Sequence, residues 1–528
     1  MCGSINLSLL TLLFLVETAV CWRIIYVSKN GNSTEKKECG SFIKPCKHLH
    51  QAIEISHHSD IILMDSKYIY NQYNSIVIPR SLNISSYSAE RRINDDRATL
   101  DFLILIEEKA FFYIHQNFTL INISMVVNPR SFSSPIVFGT ESDQNFSKVS
   151  VINCVFKQPS NYIMIFFGLF TSLDVEFVNT NFISSATNTW HARRKERALH
   201  QKDIFRHYLA KRITFLKCIF QNFRCSGTGL ENSEWYFWNN TFKKVDLEIR
   251  GDMTSVHYVN NTFEDNSYLV QWNSETASQN KTKENLGKGR STKVVDCKFR
   301  NSIARFKIDG SPTANELLIS NTHFENSPVT VKVYGGLPLN VIVESCSFKG
   351  SGDYPSSSQV EFTALRSNTI IKATVLNCTF RDSVAGSVYS DGFITNIIKT
   401  TFLNNSLTDN RYFTNTRAAA LTITSSTYVY LVNCTFLDNK ALPTFFDSIY
   451  IVMAGSSEIF LNISNLIVVS SSIVPGAQSS ILQLKSDGFM YGFPKILDSS
   501  VFCGLPNYNV YDNIEEFNPI FVRLSCHE

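Results

Sequence analysis

The chain has little proline, 14 of 528 residues, and beyond the first hundred residues it has no long segment with helical periodicity. It also lacks a strong charge of either sign, since 49 Lys and Arg stand against 46 Asp and Glu, a net charge of +3. A large helical domain and a generally basic, nucleic-acid-binding surface are therefore not expected. No stretch reaches the roughly 18 apolar residues of a membrane-spanning helix, so we expect no transmembrane segment.

Motifs of metal sites are also missing. The cysteines lack the Cys-x-x-Cys spacing of zinc sites. His48, His50, His57 and His58 are crowded together, but their spacing and the missing carboxylate do not match a His-Glu-x-x-His site. We therefore predict no metal, no cofactor and no catalytic residue from these groups.

Phenylalanine is abundant, with 40 residues, and twelve of them close a similar short phrase. The clearest copies read Asn-Cys-Thr-Phe and end at Phe380 and Phe436. Most copies follow one another at 21 to 26 residues, with some longer gaps that indicate insertions or a missed copy. A period in this range is typical of a solenoid. The copies end at Phe156, Phe182, Phe220, Phe242, Phe263, Phe299, Phe324, Phe348, Phe380, Phe402, Phe436 and Phe502.

Two other positions of the repeat keep their character in every copy. The residue five before the Phe is apolar, as Val375 is, and the residue two before it is small, as Cys378 is. Side chains of a strand alternate, so an offset of two shares the face of the Phe and an offset of five does not. The chain must therefore turn between the two positions.

The turn falls three residues before the Phe, where seven copies have Asn, the non-glycine residue that best tolerates a left-handed backbone. Strand, one-residue corner and strand predict an all-β fold, a single-stranded parallel β-helix. We expect corner residues such as Asn377 and Asn433 to stack inside the coil, which would leave their sequons without glycans. A β-sandwich with chance Phe spacing is the alternative.

These phrases resemble those of right-handed parallel β-helix proteins of the pectate-lyase-like superfamily. They also resemble the repeats of polymorphic outer-membrane adhesins and of uncharacterised secreted eukaryotic proteins, which implies a binding or adhesion role. The second part of the resemblance is a Phe-x-x-Asn phrase in three copies. It is found at Phe263 and Asn266, Phe402 and Asn405, and Phe436 and Asn439.

Of the thirteen cysteines, Cys2 and Cys21 lie in the first 21 residues and Cys225 is left over as an odd thiol, while the other ten divide into two groups. Cys39 and Cys46 bracket the turn into an amphipathic helix expected between Pro45 and Ser56, which would cap the solenoid, and they are predicted to form a disulfide. Cys503 and Cys526 are predicted to staple a C-terminal cap. The others stand two before a Phe, mostly two or more coils apart and beyond disulfide reach, so we predict buried free thiols. These are Cys154, Cys218, Cys297, Cys346, Cys378 and Cys434.

Residues 1–21 have an apolar run followed by a small-x-small site, which is typical of a signal peptide. We expect an N-terminal cap and first coils in 22–100, the parallel β-helix in 101–502 and a C-terminal cap in 503–528, as one elongated domain. The protein is accordingly expected to be soluble, secreted and extracellular. Twelve sequons follow the signal, and Asn32, Asn83 and Asn280 are the glycosylation candidates.

A basic insertion between His191 and Arg212 carries eight positive residues and two negative ones. Arg193, Arg194, Lys195 and Arg197 are the polyanion-binding candidates, and a merely solvated loop is the alternative.

The sequence points to a secreted recognition, adhesion or structural protein whose partners are extracellular glycans or cell-surface proteins. The alternative is a carbohydrate-active enzyme, a lyase or glycoside hydrolase, with a non-standard active site. The motif set of polygalacturonases is missing, and Asp95–Asp96 is an isolated carboxylate pair. The recurring Asp265, Asp296, Asp382 and Asp438 are expected to be solvated turn residues.

Overall fold

The computed structural model forms two compact units, Met1–Lys157 and Gln158–Glu528. The predicted signal peptide, most of the basic insertion and the predicted C-terminal cap lie outside the described residues, as do the Asp95–Asp96 pair and the side chain of Cys503. The predicted domain boundaries stay a prediction. The described residues are 23–32, 39–72, 76–87, 97–102, 112–114, 116–127, 136–138, 148–158, 165–167, 173–184, 210–222, 224–229, 233–251, 255–273, 290–308, 315–334, 339–350, 358–365, 371–407, 418–441, 448–453, 460–469, 482–486, 495–498 and 501–503.

One coil consists of three strands, and each strand pairs in parallel with its counterpart in the next coil. Ala210–Leu216, Ile219–Gln221 and Arg224–Gly229 make one such coil, and Glu234–Trp238 pairs with the first of them to begin the next. We call the three resulting stacks of strands face A, face B and face C. The parallel solenoid expected from the repeat is confirmed.

In the first unit the faces are short. Face A holds Ile24–Asn32, Ile61–Asp65, Leu82–Tyr87, Phe118–Ile121 and Lys148–Ile152. Face B holds Ile69–Gln72, Ala98–Phe102, Ile123–Val127 and Val155–Gln158. Face C holds Ile76–Ile78, Phe112–Ile114 and Ile136–Phe138.

In the second unit the same order repeats. Face A holds Leu173–Val178, Ala210–Leu216, Glu234–Trp238, Ser255–Val259, Arg290–Val295, Asn315–Ser320, Leu339–Glu344, Ile371–Leu376, Ile394–Ile398, Tyr428–Val432, Phe460–Ser464 and Lys495–Asp498. Face B holds Asn181–Ser184, Ile219–Gln221, Thr241–Lys243, Thr262–Glu264, Lys298–Arg300, His323–Glu325, Ser347–Lys349, Thr379–Arg381, Thr401–Leu403, Thr435–Leu437, Ile467–Val469 and Val501–Cys503. Face C holds Arg224–Gly229, Asp246–Gly251, Tyr268–Asn273, Ile303–Ile308, Val329–Val333, Val360–Ala364, Val388–Asp391, Leu421–Ser426, Ile449–Met453 and Leu482–Ser486. The other strands are Ile165–Phe167 and the pair Ser406–Leu407 and Lys440–Ala441.

The corner between faces A and B is a single left-handed residue, as predicted. Asn377 has φ 53° and Asn433 has φ 53°, and Lys217, Asp296 and other residues at this position have similar values. The expected interior position of the corner Asn side chains is wrong, because Asn377 and Asn433 are exposed. The left-handed residue resets the alternation of the strand, so it points outward like the residue before it, and the small residue after it points inward.

A second left-handed corner lies two residues after the Phe, between faces B and C. Asp265, Asp382 and Asp438 occupy it with φ of 54°, 58° and 52°, so the expected turn role of these carboxylates is confirmed. Asp296 has the same role at the first corner, with φ 54°. Side chains that accept a left-handed backbone therefore mark both corners of the coil.

The repeated phenylalanines form one continuous stack inside the second unit. From Phe182 to Phe436, successive rings lie 4.4 to 5.2 Å apart, centroid to centroid, at interplanar angles of 13° or less. A second stack runs through Phe177, Phe215, Phe237 and Tyr258 at 5.0 to 5.1 Å. Large side chains lie above large ones because the in-register pairing places equivalent residues one strand spacing apart.

The structure also shows the copies that the Phe pattern missed. Val468 pairs with Phe436 on one side and Phe502 on the other, which accounts for the long gap before Phe502. Its corner residue, Asn465, has φ 53°. In the first unit Met125 takes the place of the Phe, with Asn122 as its corner at φ 54°. An aliphatic side chain therefore fills the same interior position as a ring.

The N-terminal cap contains the predicted helix and disulfide. Helix α1, Leu49–Ile55, starts later than expected and buries Leu49, Ala52 and Ile53. Cys39 and Cys46 are bonded, with their Cα atoms 4.8 Å apart. Across the residues that the structure describes, no helix is long and apolar enough to cross a membrane.

The six column cysteines are free and buried, as predicted. Burial raises the pKa of Cys154, Cys218, Cys297 and Cys434 to about 12. Cys346 and Cys378 lie on neighbouring coils, since the residues that follow them, Ser347 and Thr379, are register partners. The pKa of Cys346 is raised by a hydrogen bond with Cys378 and by burial.

These raised values predict a stability that falls at high pH. In the unfolded chain a thiol loses its proton near its ordinary pKa, about 8.5, whereas the folded protein keeps it up to about 12, so each thiol costs about 1.4 kcal/mol per pH unit between these values. In denaturant unfolding, the free energy of unfolding should fall less steeply with pH for Cys297→Thr than for the parent protein. Threonine already occupies the equivalent position of the next coil, at Thr322. Equal slopes, or maleimide labelling of any of the six column cysteines in the native protein, would contradict the buried thiols.

Candidate ligand-binding surface

Most of the residues singled out in the sequence lie where no geometry is described. Arg193, Arg194, Lys195 and Arg197, together with Asn280, are outside the described residues. Asn32 ends the first strand, but its side chain is not described, and Asn83 is half-buried on face A of the first unit. The basic insertion ends in the strand Ala210–Leu216, where Lys211 and Arg212 are exposed. Geometry can therefore be followed from Arg212 onward.

The outward side of face A next to Arg212 carries a cluster that we call the aromatic patch, formed by Arg212, Glu234, Tyr236, Trp238 and His257. The residues stand four, six or eight before the repeated Phe of their own coil, so they point away from the core. Parallel pairing places Arg212 beside Glu234, and Tyr236 beside His257. Three successive coils thus contribute to one continuous surface.

Glu234 connects the polar groups of the aromatic patch. Its Oε2 lies 3.3 Å from Nη2 of Arg212 and accepts a hydrogen bond from the Tyr236 hydroxyl at 3.2 Å. The guanidinium carbon of Arg212 lies 5.8 Å from the centroid of the Tyr236 ring, within the range of a cation–π contact. The side chains of Arg212 and Glu234 are 48% and 42% exposed, so this pair orders the surface more than it stabilises the fold.

The rings form a platform that faces solvent. Tyr236 and His257 stack with their centroids 4.8 Å apart and their planes 9° from parallel. Trp238 is 56% exposed, although tryptophan usually buries its large apolar surface. By contrast, Trp235, on the inward side of the same strand, is fully buried. The strand therefore places one tryptophan in the core and holds another in contact with water.

The titrating groups of the aromatic patch have shifted pKa values. Burial raises the pKa of Tyr236, and the charge and hydrogen bond of Glu234 raise it further. Burial lowers the pKa of His257, as does the positive charge of Lys293, while Glu234 opposes this shift. Both rings are therefore uncharged at neutral pH. An uncharged stacked pair offers an apolar surface with polar edges.

Basic residues, together with the acidic Asp174, lie beside the aromatic patch. Lys211 and Lys217 are exposed at its sides, and Lys293 follows His257 in register on the next coil. The backbone N–H of Lys217 donates to the carbonyl oxygen of Trp238 at 3.0 Å, so this corner lysine belongs to the coil next to the tryptophan. Within the described part of this surface, Lys211, Arg212, Lys217 and Lys293 stand against Glu234 and against Asp174 and Glu176 of the preceding coil, where Asp174 is the register partner of Arg212. The small positive excess favours an anionic ligand.

Face C carries the other notable polar cluster, but its carboxylates are already paired. Oε1 of Glu361 lies 3.6 Å from Nζ of Lys332 and accepts from the hydroxyl of Thr363 at 3.2 Å. Oδ1 of Asp391 accepts from the hydroxyl of Thr424 at 2.9 Å. Among the described residues, no group of three or more His, Cys, Asp or Glu side chains could hold a metal ion. This cluster is best explained as a network that orders the surface of face C.

No protein-family model matches the chain, and no curated protein has a significantly similar sequence. The parallel β-helix therefore rests on the structure itself.

The aromatic patch was not predicted from the sequence. The signal was present, because the positions four, six and eight before Phe242 are Trp238, Tyr236 and Glu234. The positions six and eight before the Phe vary from copy to copy, so a repeat alignment does not mark Tyr236 or Glu234. Only the register between neighbouring coils shows that Arg212, Tyr236 and His257 lie side by side.

Proposed function

We propose that the protein is a secreted, glycosylated β-helix protein that recognises extracellular glycans through the aromatic patch. The observation that carries the proposal is the exposed Trp238 beside the stacked Tyr236 and His257 rings and the Arg212–Glu234 pair. A sugar ring presents an apolar face of C–H groups and an edge of hydroxyl groups. The apolar face suits the exposed rings, and the hydroxyl groups suit the charged pair.

The ligand class follows from the charges. The lysines beside the aromatic patch, and the basic insertion that leads into Arg212, favour a glycan with sulfate or carboxylate groups. Arg193, Arg194, Lys195 and Arg197 would add long-range attraction, which weakens with salt. Membership of the pectate-lyase-like superfamily, with its right-handed coil, belongs to the same proposal and is supported by the parallel three-strand coil.

A glycan-array screen of the secreted protein tests this function. We expect binding to acidic glycans, and we expect Trp238→Ala to weaken it at least about 10-fold, since exposed aromatic anchors contribute about 2 kcal/mol or more to binding. Leu365→Ala, which removes a side chain of similar exposure, 51%, on the same unit, is the matched control. Changing Arg193, Arg194, Lys195 and Arg197 to Ala should lower the salt needed for elution from heparin resin.

Equal binding by Trp238→Ala and the parent protein would overturn the role of the aromatic patch. If the insertion variant elutes at the same salt concentration as the parent protein, the basic insertion is not part of the binding surface. Cleavage of a bound polysaccharide, seen by product analysis, would establish the carbohydrate-active enzyme instead.

A further inference from the structure

The acceptor asparagines of the sequons lie on the outside of the coils wherever the structure describes their side chains. Asn239, Asn260, Asn377, Asn404 and Asn433 are exposed, and the others described are half-buried or exposed. None of the deeply buried asparagines is the acceptor residue of a sequon. They are Asn240, Asn261, Asn405 and Asn439, each 1% exposed or less.

Four of the exposed sequons share one edge of the second unit, the left-handed corner between faces A and B. We call it the corner edge, formed by Asn239, Asn260, Asn377 and Asn433, whose φ values are 53° to 55°. In each, the residue after the Asn points inward and the Thr that completes the sequon returns to the outer side of face B. The Asn and Thr side chains of the sequon thus both lie outside the core.

We propose that the corner edge is a line of N-glycosylation. Each modification forms a bond between Asn Nδ2 and C1 of an oligosaccharide, breaks the bond from C1 to the diphosphate of a lipid-linked donor, and releases one proton from Nδ2. The proposal rests on the proposed function, because this transfer requires export. It replaces our expectation that these sequons stay empty, which depended on an interior position for their side chains.

Modification costs the fold little at Asn377 and Asn433. Among the described residues, Asn377 Nδ2 donates to Ser345 Oγ, at 3.3 Å and in an exposed position. Its backbone N–H donates to Ile398 of the next coil, so the following corner residue is Lys399, not another sequon. Asn433 is flanked in the same way by corners without sequons. Each of these two sites therefore has room for a glycan.

Asn239 and Asn260 differ because they occupy neighbouring coils. Asn260 Nδ2 lies 3.4 Å from Asn239 Oδ1, and the backbone N–H of Asn239 donates to Val259. Two glycans would start about one strand spacing apart, about 4.8 Å. The two sites therefore share one glycan per folded chain. A glycan on Asn239 adjoins Trp238 and covers the aromatic patch, whereas one on Asn260 begins one coil away.

Glycopeptide mass spectrometry of the protein secreted from eukaryotic cells tests this edge. We expect glycans on Asn377 and Asn433, and occupancies of Asn239 and Asn260 that together do not exceed one glycan per chain. Asn239→Gln should raise the occupancy of Asn260, and Asn260→Gln should raise that of Asn239. The Asn260→Gln protein should then bind the glycan array more weakly, and enzymatic removal of its glycans should restore binding.

Three results would overturn the proposal, and they can be told apart. Empty Asn377 and Asn433 sequons, with glycans on Asn32 or Asn280, would reject the corner edge and leave the proposed function intact. Occupancies of Asn239 and Asn260 that together exceed one glycan per chain would reject the shared site. A protein without glycans at any sequon would reject both the corner edge and the export that the proposed function assumes.

Discussion

Replacing Phe324 with Ala should destabilise the second unit by about 3 to 5 kcal/mol, the usual cost of removing a buried ring. Phe324 is 1% exposed and stacks between Phe299 at 4.9 Å and Phe348 at 4.6 Å. The substitution leaves a cavity in the middle of the stack and removes two aromatic contacts, each worth about 0.5 to 1.5 kcal/mol. Denaturant unfolding, followed by far-UV circular dichroism, measures the loss.

Trp238→Ala is the matched control for this loss. It also removes a large ring, but one that is 56% exposed, so its effect should stay within about 0.5 kcal/mol. A loss below about 1 kcal/mol for Phe324→Ala would mean that the rings do not form a packed column.

Replacing Asn261 with Ala should cost about 2 to 4 kcal/mol, because it leaves buried polar groups without partners. Asn261 is 1% exposed. Its Oδ1 accepts from the backbone N–H and from Nδ2 of Asn240, at 2.9 and 3.0 Å, and its own Nδ2 donates to the carbonyl oxygen of Phe237 at 2.8 Å. These bonds connect neighbouring coils inside the protein.

The preceding residue supplies the control. Asn260 is exposed at the left-handed corner, φ 53°, where glycine is tolerated without strain. Asn260→Gly, made without glycosylation in bacteria, should therefore change the free energy of unfolding by less than about 1 kcal/mol. If Asn261→Ala were as stable as Asn260→Gly, the buried asparagine ladder would not exist in solution.

The interior of this protein could be predicted because one constraint repeats in every coil. A Phe, a small residue two before it and an apolar residue five before it each occupy one position of the coil, so their spacing shows strand, corner and strand. The insertion between Phe182 and Phe220 does not disturb this pattern, since the two rings remain in register. Val468 was missed only because the position requires an apolar side chain and not a ring.

The direction of the corner side chains could not be read from the sequence. Asn at a corner is compatible with both an interior ladder and an exposed edge, since its side-chain amide can form hydrogen bonds in either place. The backbone decides, because a left-handed residue reverses the alternation and turns Asn377 outward, whereas Asn261 and Asn405 lie at inward positions and form the buried ladders. The Phe-x-x-Asn phrase divides in the same way, with Asn405 buried and Asn266 exposed at its own left-handed corner, φ 66°.

The sequence by itself determined the parallel β-helix, its capping helix with the Cys39–Cys46 disulfide, and the column of free thiols. Each of these depends on residues that are close in the chain or repeat at a fixed period. Only the tertiary structure decided which outward side chains meet. Arg212, Tyr236 and His257 stand in three different coils, and no short-range rule links them. The in-register stacking of coils brings them together, because each strand pairs in parallel with the equivalent strand of the next coil.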